Sequence, residues 1–456
     1  MQKRLVWIIG AGAVLIAVGV YAVLAHRVRF SGLTKTAFAA TVTETVSSPI
    51  GQFAVKPQFD AAAPFISGLA AVRIGDEKTG KWGYIDKTGK MVIKPQFDAA
   101  HGFWKGGLAD VKTGNNWGAI DASGKYVIQP QFSGIEPFMQ ALVIEASGTG
   151  IDANGPLFDP RPARLLDSDL AVAAISNGSM PKYGFIAKNG HFVINPEFDG
   201  ALPFIDGVAE IRVGNAETGK WGFIDTTGKY VVRPQFVEAG PFTDGLAQVL
   251  SDHRIAGVCL FCGWGYIDKS GKYVVNPQFG LAGYFMQRVA RVRAGDQKTG
   301  KWGYIDITGK MIVNPQFDAA RQMIDGIAAV RVGDESTGRW GYIGETGQYL
   351  VNPQFGDARN FFDGLAAVRV GDNVSGKWGY IDRTGKILVK PQFDAVSPFD
   401  HELAAVRLGD EKTGKWGYID HTGKYFVNPQ FDDAHAFTDD GLARVRIAGK
   451  WGYIRR

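Results

Sequence analysis

The stretch Pro64–Phe97 reads PFISGLAAVRIGDEKTGKWGYIDKTGKMVIKPQF, and it decides the fold. GLAAVRI predicts one short strand, and KWGYID predicts a second with Trp82 and Tyr84 on the same face, because alternate strand residues share a face. DKTGK predicts a hairpin turn with Gly89 in the left-handed region. MVIK predicts the returning strand, which we expect Pro95 to end because proline lacks an N–H for the ladder. Nothing in this unit has helical periodicity, so the sequence predicts an all-β fold.

This unit recurs along most of the chain. A PEF variant begins at Pro196, and the PQF tripeptide begins at Pro57, Pro95, Pro130, Pro234, Pro277, Pro315, Pro353, Pro391 and Pro429. Tyr183-Gly184 is an altered copy of the WG dipeptide, which begins at Trp82, Trp117, Trp221, Trp264, Trp302, Trp340, Trp378, Trp416 and Trp451. The commonest interval between WG copies is 38 residues, as expected for a repeat architecture of about ten units.

These motifs resemble those of the WG-repeat family, also called KWG repeats. The resemblance covers about residues 51–456 and departs from the pattern at Tyr183, in the insert before it, and near Cys259. It implies tandem β-hairpin repeats in a propeller-like array. Such arrays are common in bacterial envelope and secreted proteins and mostly have no known activity. The resemblance supplies no catalytic residues.

The two ends of the array complement each other. It starts with GQFAVKPQF, a returning strand without a WG strand, and stops at GKWGYIRR, a WG strand without a returning strand. Together they would complete a tenth hairpin. We therefore predict a closed ring of ten units, which leaves only short, protected strand edges. An open β-solenoid is the alternative.

The N-terminal segment differs from the array. Residues 5–25 form an uncharged apolar run, long enough for a helix to cross a bilayer. We predict a signal anchor with one transmembrane helix within residues 1–30, a linker over 31–50, and the bulk of the chain outside the cytoplasm in a bacterial cell envelope. A cleaved signal peptide is the alternative.

Composition excludes several classes of protein. Hydrophobic residues make up 45% of the chain, which is too many for a disordered protein. Without the four basic side chains of residues 1–30, 46 basic residues face 45 acidic ones, so nothing favours nucleic-acid binding. The 60 glycines fit a β protein with many tight turns.

Motifs that could carry chemistry have simpler explanations here. GDEKTGK from Gly75 matches GxxxxGK, but Trp82 follows it and it connects two strands, so we predict no nucleotide site. Asp86 and its equivalents are expected to cap their turns. Arg73 and its equivalents either pack across strands or form a basic row for an anionic polymer. We predict no cofactor, no metal and no enzyme activity, although a site assembled from different repeats remains an alternative.

Departures from the repeat are the candidate sites. The insert at about 145–182 predicts a projecting loop for partner contacts, with Arg161 and Arg164 as binding residues. A second departure, His101, Trp104 and Lys105, has an extra tryptophan that could stack on a sugar or a partner, with ordinary packing of Trp104 as the alternative. A third, Cys259 and Cys262, could form a small disulfide loop. The sequence thus predicts a non-enzymatic, membrane-anchored scaffold for a protein or polymer partner, with envelope-glycan binding as the alternative.

Overall fold

The structure is a computed structural model, and the residues it describes all lie in one compact unit, Pro49–Arg456. The described ranges are 52–104, 107–135, 169–176, 180–255, 258–296, 298–372 and 375–456, without the side chains of 253–261. No helix within these ranges is long and apolar enough to cross a bilayer. The predicted transmembrane helix and linker lie outside them.

The described residues form ten four-stranded antiparallel sheets, the blades of a ten-bladed β-propeller. The first strands are Ala61–Ala62, Ala99–Ala100, Gly134–Ile135, Gly200–Ala201, Glu238–Ala239, Leu281–Ala282, Ala319–Ala320, Asp357–Phe362, Ala395–Val396 and Asp433–Ala434. The second strands are Leu69–Ile74, Leu108–Thr113, Leu170–Ile175, Val208–Val213, Leu246–Ile255, Val289–Ala294, Ala328–Val332, Leu365–Val370, Leu403–Leu408 and Leu442–Ile447.

The third and fourth strands complete each blade. The third strands are Lys81–Asp86, Asn116–Asp121, Lys182–Ala187, Lys220–Asp225, Val258–Asp268, Lys301–Asp306, Arg339–Ile343, Lys377–Ile381, Lys415–Asp420 and Lys450–Arg455. The fourth strands of blades 1 to 10 are Met91–Phe97, Tyr126–Phe132, Phe192–Phe198, Tyr230–Phe236, Tyr273–Phe279, Met311–Phe317, Tyr349–Phe355, Ile387–Phe393, Tyr425–Phe431 and Phe53–Phe59.

The tenth blade closes the ring. Its fourth strand, Phe53–Phe59, comes from the start of the array and pairs with Lys450–Arg455 at the end of the chain. In this pairing Val55 lies opposite Tyr453, and Phe59 lies opposite Trp451. The prediction of a closed ring of ten units is confirmed, and the open solenoid is wrong.

The WG and PQF motifs meet within each blade. Between the pairs Trp82–Phe97 and Tyr84–Ile93 the fourth strand carries two extra residues, which form a bulge opposite Gly83. A Cβ on Gly83 would lie 2.4 Å from the carbonyl oxygen of Ile93, so only glycine fits beneath the bulge. The bulge also explains why the strand continues through Pro95 to Phe97, contrary to the expectation that proline ends it.

Each hydrophobic core lies between neighbouring blades. Between blades 1 and 2, Trp82, Tyr84 and Phe97 pack against the second blade. Ile85, on the opposite face of the same strand, packs towards blade 10. Equivalent clusters fill all ten interfaces, so a blade buries both faces only when both neighbours are present.

Two expectations from the sequence need correction. The unit begins with a strand of two residues after PQF, as at Ala61–Ala62, so the LAAVRI strand is the second and KWGYID the third. The described end of the predicted 145–182 insert belongs to blade 3, because Leu170–Ile175 is its second strand and Lys182 begins its third. Any projecting loop is therefore confined to the residues before 170.

Candidate functional site

Arginine–tryptophan stacks recur at the end of the second strand. Arg73 lies opposite Trp82 in the strand register, with its guanidinium carbon 5.8 Å from the indole centroid. Further stacks of the same kind pair Arg212 with Trp221, Arg293 with Trp302, Arg331 with Trp340, Arg369 with Trp378, Arg407 with Trp416 and Arg446 with Trp451. Cation–π contacts of this kind hold the arginine against its own blade. The recurrent arginines therefore pack across strands, which favours the first of the two explanations given above.

Four blades place a second arginine against the same tryptophan. The second guanidinium carbon lies 4.8 to 5.3 Å from the indole centroid in these blades, for Arg291 on Trp302, Arg321 on Trp340, Arg359 on Trp378 and Arg444 on Trp451. These side chains also reach the next blade: Arg291 donates to the carbonyl of Ala320, and Arg321 forms a buried ion pair with Asp357. These second arginines therefore connect neighbouring blades.

A lysine–aspartate ion pair, which we call the clasp, joins neighbouring blades. It lies on the side of the ring that carries the loops between the second and third strands, which we call the loop side. Lys81, just before WG, forms an ion pair with Asp98, just after PQF, and the other carboxylate oxygen of Asp98 accepts from the Gly114 N–H at 2.7 Å. The same ion pair joins Lys182 to Asp199, Lys301 to Asp318, Lys377 to Asp394, Lys415 to Asp432 and Lys450 to Asp60. One aspartate thus binds a lysine of its own repeat and the backbone of the following blade.

Aspartates in the turns act as caps. The Asp86 carboxylate accepts from the Thr88 hydroxyl at 2.6 Å and from the Thr88 and Lys90 N–H groups, which lowers its pKa. Asp76 accepts in the same way from the Thr79 hydroxyl and from the backbone of the GDEKTGK loop. The expected capping role is confirmed, and these loops are closed by their own side chains.

Buried tyrosine hydroxyls form a second set of bonds between blades. The tyrosine after WG donates to a backbone carbonyl of the next blade, which is just beyond the first strand in the 2.7 Å bond from Tyr380 to Ser397 and within that strand in the bond from Tyr342 to Arg359. We call these residues the interface tyrosines: Tyr84, Tyr266, Tyr304, Tyr342, Tyr380, Tyr418 and Tyr453. Because burial raises the pKa of these hydroxyls, they stay protonated and act as donors.

Comparison with known proteins agrees with this repeated geometry. The family model described as WG containing repeat matches ten segments: 48–77, 82–117, 117–140, 183–215, 221–252, 264–296, 302–335, 340–373, 378–411 and 416–451. The chain belongs to the WG-repeat family. No curated protein matches this sequence.

Solved structures resemble the WG-repeat ring only in outline. A crystal structure of the eukaryotic initiation factor is 10% identical, covers 79% of this chain and 96% of its own, and has a TM-score of 0.48. The Pyrococcus horikoshii acylaminoacyl peptidase is 8% identical, with coverages of 61% and 55% and a TM-score of 0.29. Oligopeptidase B from Trypanosoma brucei is 9% identical, with coverages of 61% and 51% and a TM-score of 0.33. TM-scores below 0.5 carry nothing about function.

The structure does not bring together the residues of the predicted site at His101, Trp104 and Lys105. Trp104 is 5% exposed and packs into the core between blades 2 and 3, so its ring is not available to stack on a sugar. His101 is half exposed and stacks on Trp117 at 4.9 Å, with its Nδ1 3.5 Å from buried Asp110. Lys105 lies outside the described residues. The glycan hypothesis loses the exposed tryptophan on which it rested.

The remaining candidates stay predictions. Arg161 and Arg164 lie outside the described residues, so the structure does not place them. The insertion around Cys259 lengthens the hairpin of blade 5, whose second and third strands are Leu246–Ile255 and Val258–Asp268. Cys262 lies opposite Asp252 in this hairpin, and its pairing with Cys259 is untested because the Cys259 side chain is not described.

Exposed aliphatic side chains recur at the end of the second strand, a feature that the sequence analysis missed. Ile74 of blade 1 and Val213 of blade 4 are 49% and 43% exposed there. Blades 7, 8 and 9 end their second strands with Val332, Val370 and Leu408, which are 44%, 42% and 38% exposed. We call these three residues the loop-side arc, because each immediately precedes the loop between the second and third strands. The signal was present in the repeat, where an aliphatic residue follows the recurrent arginine.

The described ranges contain many carboxylates, most of which recur from repeat to repeat. No group of three or more His, Cys, Asp or Glu side chains there is placed to hold a metal ion. The aspartates that recur in the WG repeats are instead used for turn caps and for the clasps. The described surface presents exposed side chains at equivalent positions of successive blades, and these could contact a partner.

Proposed function

We propose that this protein is a non-enzymatic scaffold that binds a protein partner on the loop side of its ring. The observation that carries the proposal is the loop-side arc. Exposed large aliphatic residues in equivalent positions of consecutive blades mark candidate contact surfaces, whereas isolated ones are ordinary. A second row of this kind, Val92, Val127 and Val193 on the fourth strands of blades 1 to 3, is the competing surface in the test below. Aliphatic side chains fit the apolar residues of another protein better than they fit a sugar or a charged polymer. A protein partner is therefore favoured over the glycan alternative.

Two further elements complete the proposal. The apolar run over residues 5–25 is proposed to anchor the chain in a membrane, with the ring outside the cytoplasm, and the insert before residue 170 is proposed to add contacts through Arg161 and Arg164. A topology reporter fused after Arg456 tests the orientation. A signal from the cytoplasmic side would contradict it.

The test of the binding surface is quantitative affinity capture with the full-length chain, from extracts of cells that express it. The arc variant carries Val332→Lys, Val370→Lys and Leu408→Lys. We expect a protein enriched by the wild type to fall at least tenfold in the arc variant. The comparison variant, called the control below, carries lysine at the second row, Val92, Val127 and Val193, which are 44%, 42% and 52% exposed.

The control must retain the partner for the surface to be assigned. Circular dichroism and thermal unfolding show whether both triple variants keep the fold. Equal capture by wild type, arc variant and control would place binding elsewhere and contradict the proposal. If the control loses the partner and the arc variant retains it, the binding surface lies on the fourth strands and the proposal is wrong about its place.

A further inference from the structure

The interface between blades 4 and 5 lacks the tyrosine bond that joins most other blades. Where the interface tyrosines stand, blade 4 has Phe223, which is fully buried and has no hydroxyl. Phe223 therefore donates nothing to blade 5, whose carbonyl at the equivalent position belongs to Gly240. Another group must replace the missing donor, or the interface is weaker by one hydrogen bond of about 1 kcal/mol.

A buried carboxyl group lies beside the missing hydroxyl. Glu210 is directly opposite Phe223 in the strand register and is 5% exposed. Its Oε2 atom is buried and has no hydrogen-bond partner. In four other blades the residue at this position is alanine, and it faces an interface tyrosine: Ala71, Ala329, Ala367 and Ala405. The tyrosine is also absent from blade 2, where buried Asp110 lies opposite Ala119, and from blade 3, where Val172 lies opposite Phe185. A carboxyl group thus accompanies the lost hydroxyl in two of these three blades.

Side chains at this position reach the next blade. Arg291 and Arg444 occupy it in blades 6 and 10, opposite Tyr304 and Tyr453. Both arginines donate to a backbone carbonyl in the first strand of the following blade, at 2.6 and 2.8 Å. By the same geometry Glu210 faces the first strand of blade 5, Glu238–Ala239.

The charged groups around Glu210 leave it without a counter-ion. On its own strand Arg212 is held by Trp221 and donates to the carbonyl of Asp199. On the facing strand Glu238 is itself a carboxyl group whose pKa is raised by burial. Burial also raises the pKa of Glu210 to about 8, so the group is neutral at neutral pH and has a proton to donate.

We propose that Glu210 is a protonated carboxylic acid that donates its hydrogen to the backbone of blade 5 in place of the absent tyrosine hydroxyl. Loss of that proton leaves a buried carboxylate facing backbone carbonyls, which opens this one interface. The joint between blades 4 and 5 is then sensitive to alkaline pH, next to the lengthened hairpin of blade 5. This inference is independent of the proposed binding function.

The first test is the pH dependence of unfolding for the full-length wild type and Glu210→Gln. A folded-state pKa above the unfolded one means that stability falls as pH rises, from the ordinary carboxyl range up to the folded value. One such group raises the unfolding equilibrium constant up to tenfold per pH unit in that window. We expect the wild type to show this dependence and Glu210→Gln to lose it. Parallel profiles would overturn the proposal.

A control separates Glu210 from its neighbouring carboxyl group. Glu238 has a raised pKa of the same sign, so Glu238→Gln is measured alongside. We expect Glu238→Gln to retain most of the wild-type pH dependence. If Glu238→Gln alone abolishes the dependence, the alkaline-sensitive group is Glu238 and the proposal is wrong.

The second test rebuilds the arrangement that the chain uses elsewhere. Glu210→Ala with Phe223→Tyr copies the alanine–tyrosine pairs of blades 1, 7, 8 and 9. We expect Glu210→Ala alone to raise hydrogen exchange at the amides of blades 4 and 5 about tenfold. The double variant should restore protection and make it independent of pH between 6 and 9. A double variant no better protected than Glu210→Ala would refute the replacement of one donor by the other.

Discussion

Ring closure makes a quantitative prediction about one phenylalanine near the start of the array. Phe59 is 3% exposed and packs between blades 10 and 1, as Phe97 at 1% packs between blades 1 and 2. Removing a buried phenylalanine side chain costs about 3–5 kcal/mol in unfolding free energy. Because the closing interface is as well packed as an internal one, we expect Phe59→Ala and Phe97→Ala to cost the same within about 1 kcal/mol.

The assay is urea unfolding of the full chain, followed by tryptophan fluorescence, because WG tryptophans occur in nine repeats. Gln96→Ala, at an exposed position beside Phe97, is the matched control and should change the unfolding free energy by less than about 0.5 kcal/mol. A cost below about 1 kcal/mol for Phe59→Ala, together with a full cost for Phe97→Ala, would refute closure. In that case the first strand would not be packed in solution.

Two further perturbations test the motifs. Gly83→Ala places a Cβ 2.4 Å from a backbone oxygen of the bulge, so it should lower the unfolding free energy by about 3 kcal/mol, the upper end of the cost of overpacking. The control is Gly134→Ala, whose Cβ would have no neighbour closer than 3.8 Å. Thermal unfolding should show that this control is neutral or more stable by up to about 1 kcal/mol. The pKa of Asp60 is lowered first by its bond to Lys450, so this pair stabilises the ring above the ordinary carboxyl range and stops doing so as pH falls through the lowered pKa. Asp60→Asn should therefore cost about 1 kcal/mol at pH 7 and progressively less as pH falls below the ordinary carboxyl range, and a cost that does not change with pH would contradict the clasp.

Much of the fold was predictable from the sequence because each motif has a local cause. The left-handed turn at Gly89 and its cap by Asp86 depend on neighbouring residues, and both predictions are confirmed. Ring closure followed from the complementary ends of the array. The first strand was missed because two residues such as Ala61–Ala62 show no periodicity. The prediction that Pro95 ends its strand was wrong because a bulge opposite Gly83 lets proline remain in an edge strand.

Contacts between blades were harder to predict, since they join residues of different repeats. The clasp links Lys81 to Asp98 at a separation of 17 residues, and the repeated co-occurrence of these two types at that spacing was a usable signal. The sequence left Trp104 open between stacking on a ligand and ordinary packing, and the structure places it in the core between blades 2 and 3. No local sign in the sequence indicates that Glu210 is buried without a partner. Its surroundings come from a neighbouring strand and from the next blade, which are distant from it in the sequence.

The pairing of the first strand with the last has a consequence for synthesis. Asp60 and Lys450 are 390 residues apart, so at a translation rate of 5–20 residues per second the first strand waits roughly 20–80 s for its partner. During that interval the apolar side chains of Val55 and Phe59 can pack against blade 1 but lack the cover that Leu442 and Tyr453 of blade 10 provide. A ribosome that stops before the final strand releases a chain whose two open edges mark it for chaperones and proteases. Synthesis of the strand Lys450–Arg455 is thus the step that allows the ring to close.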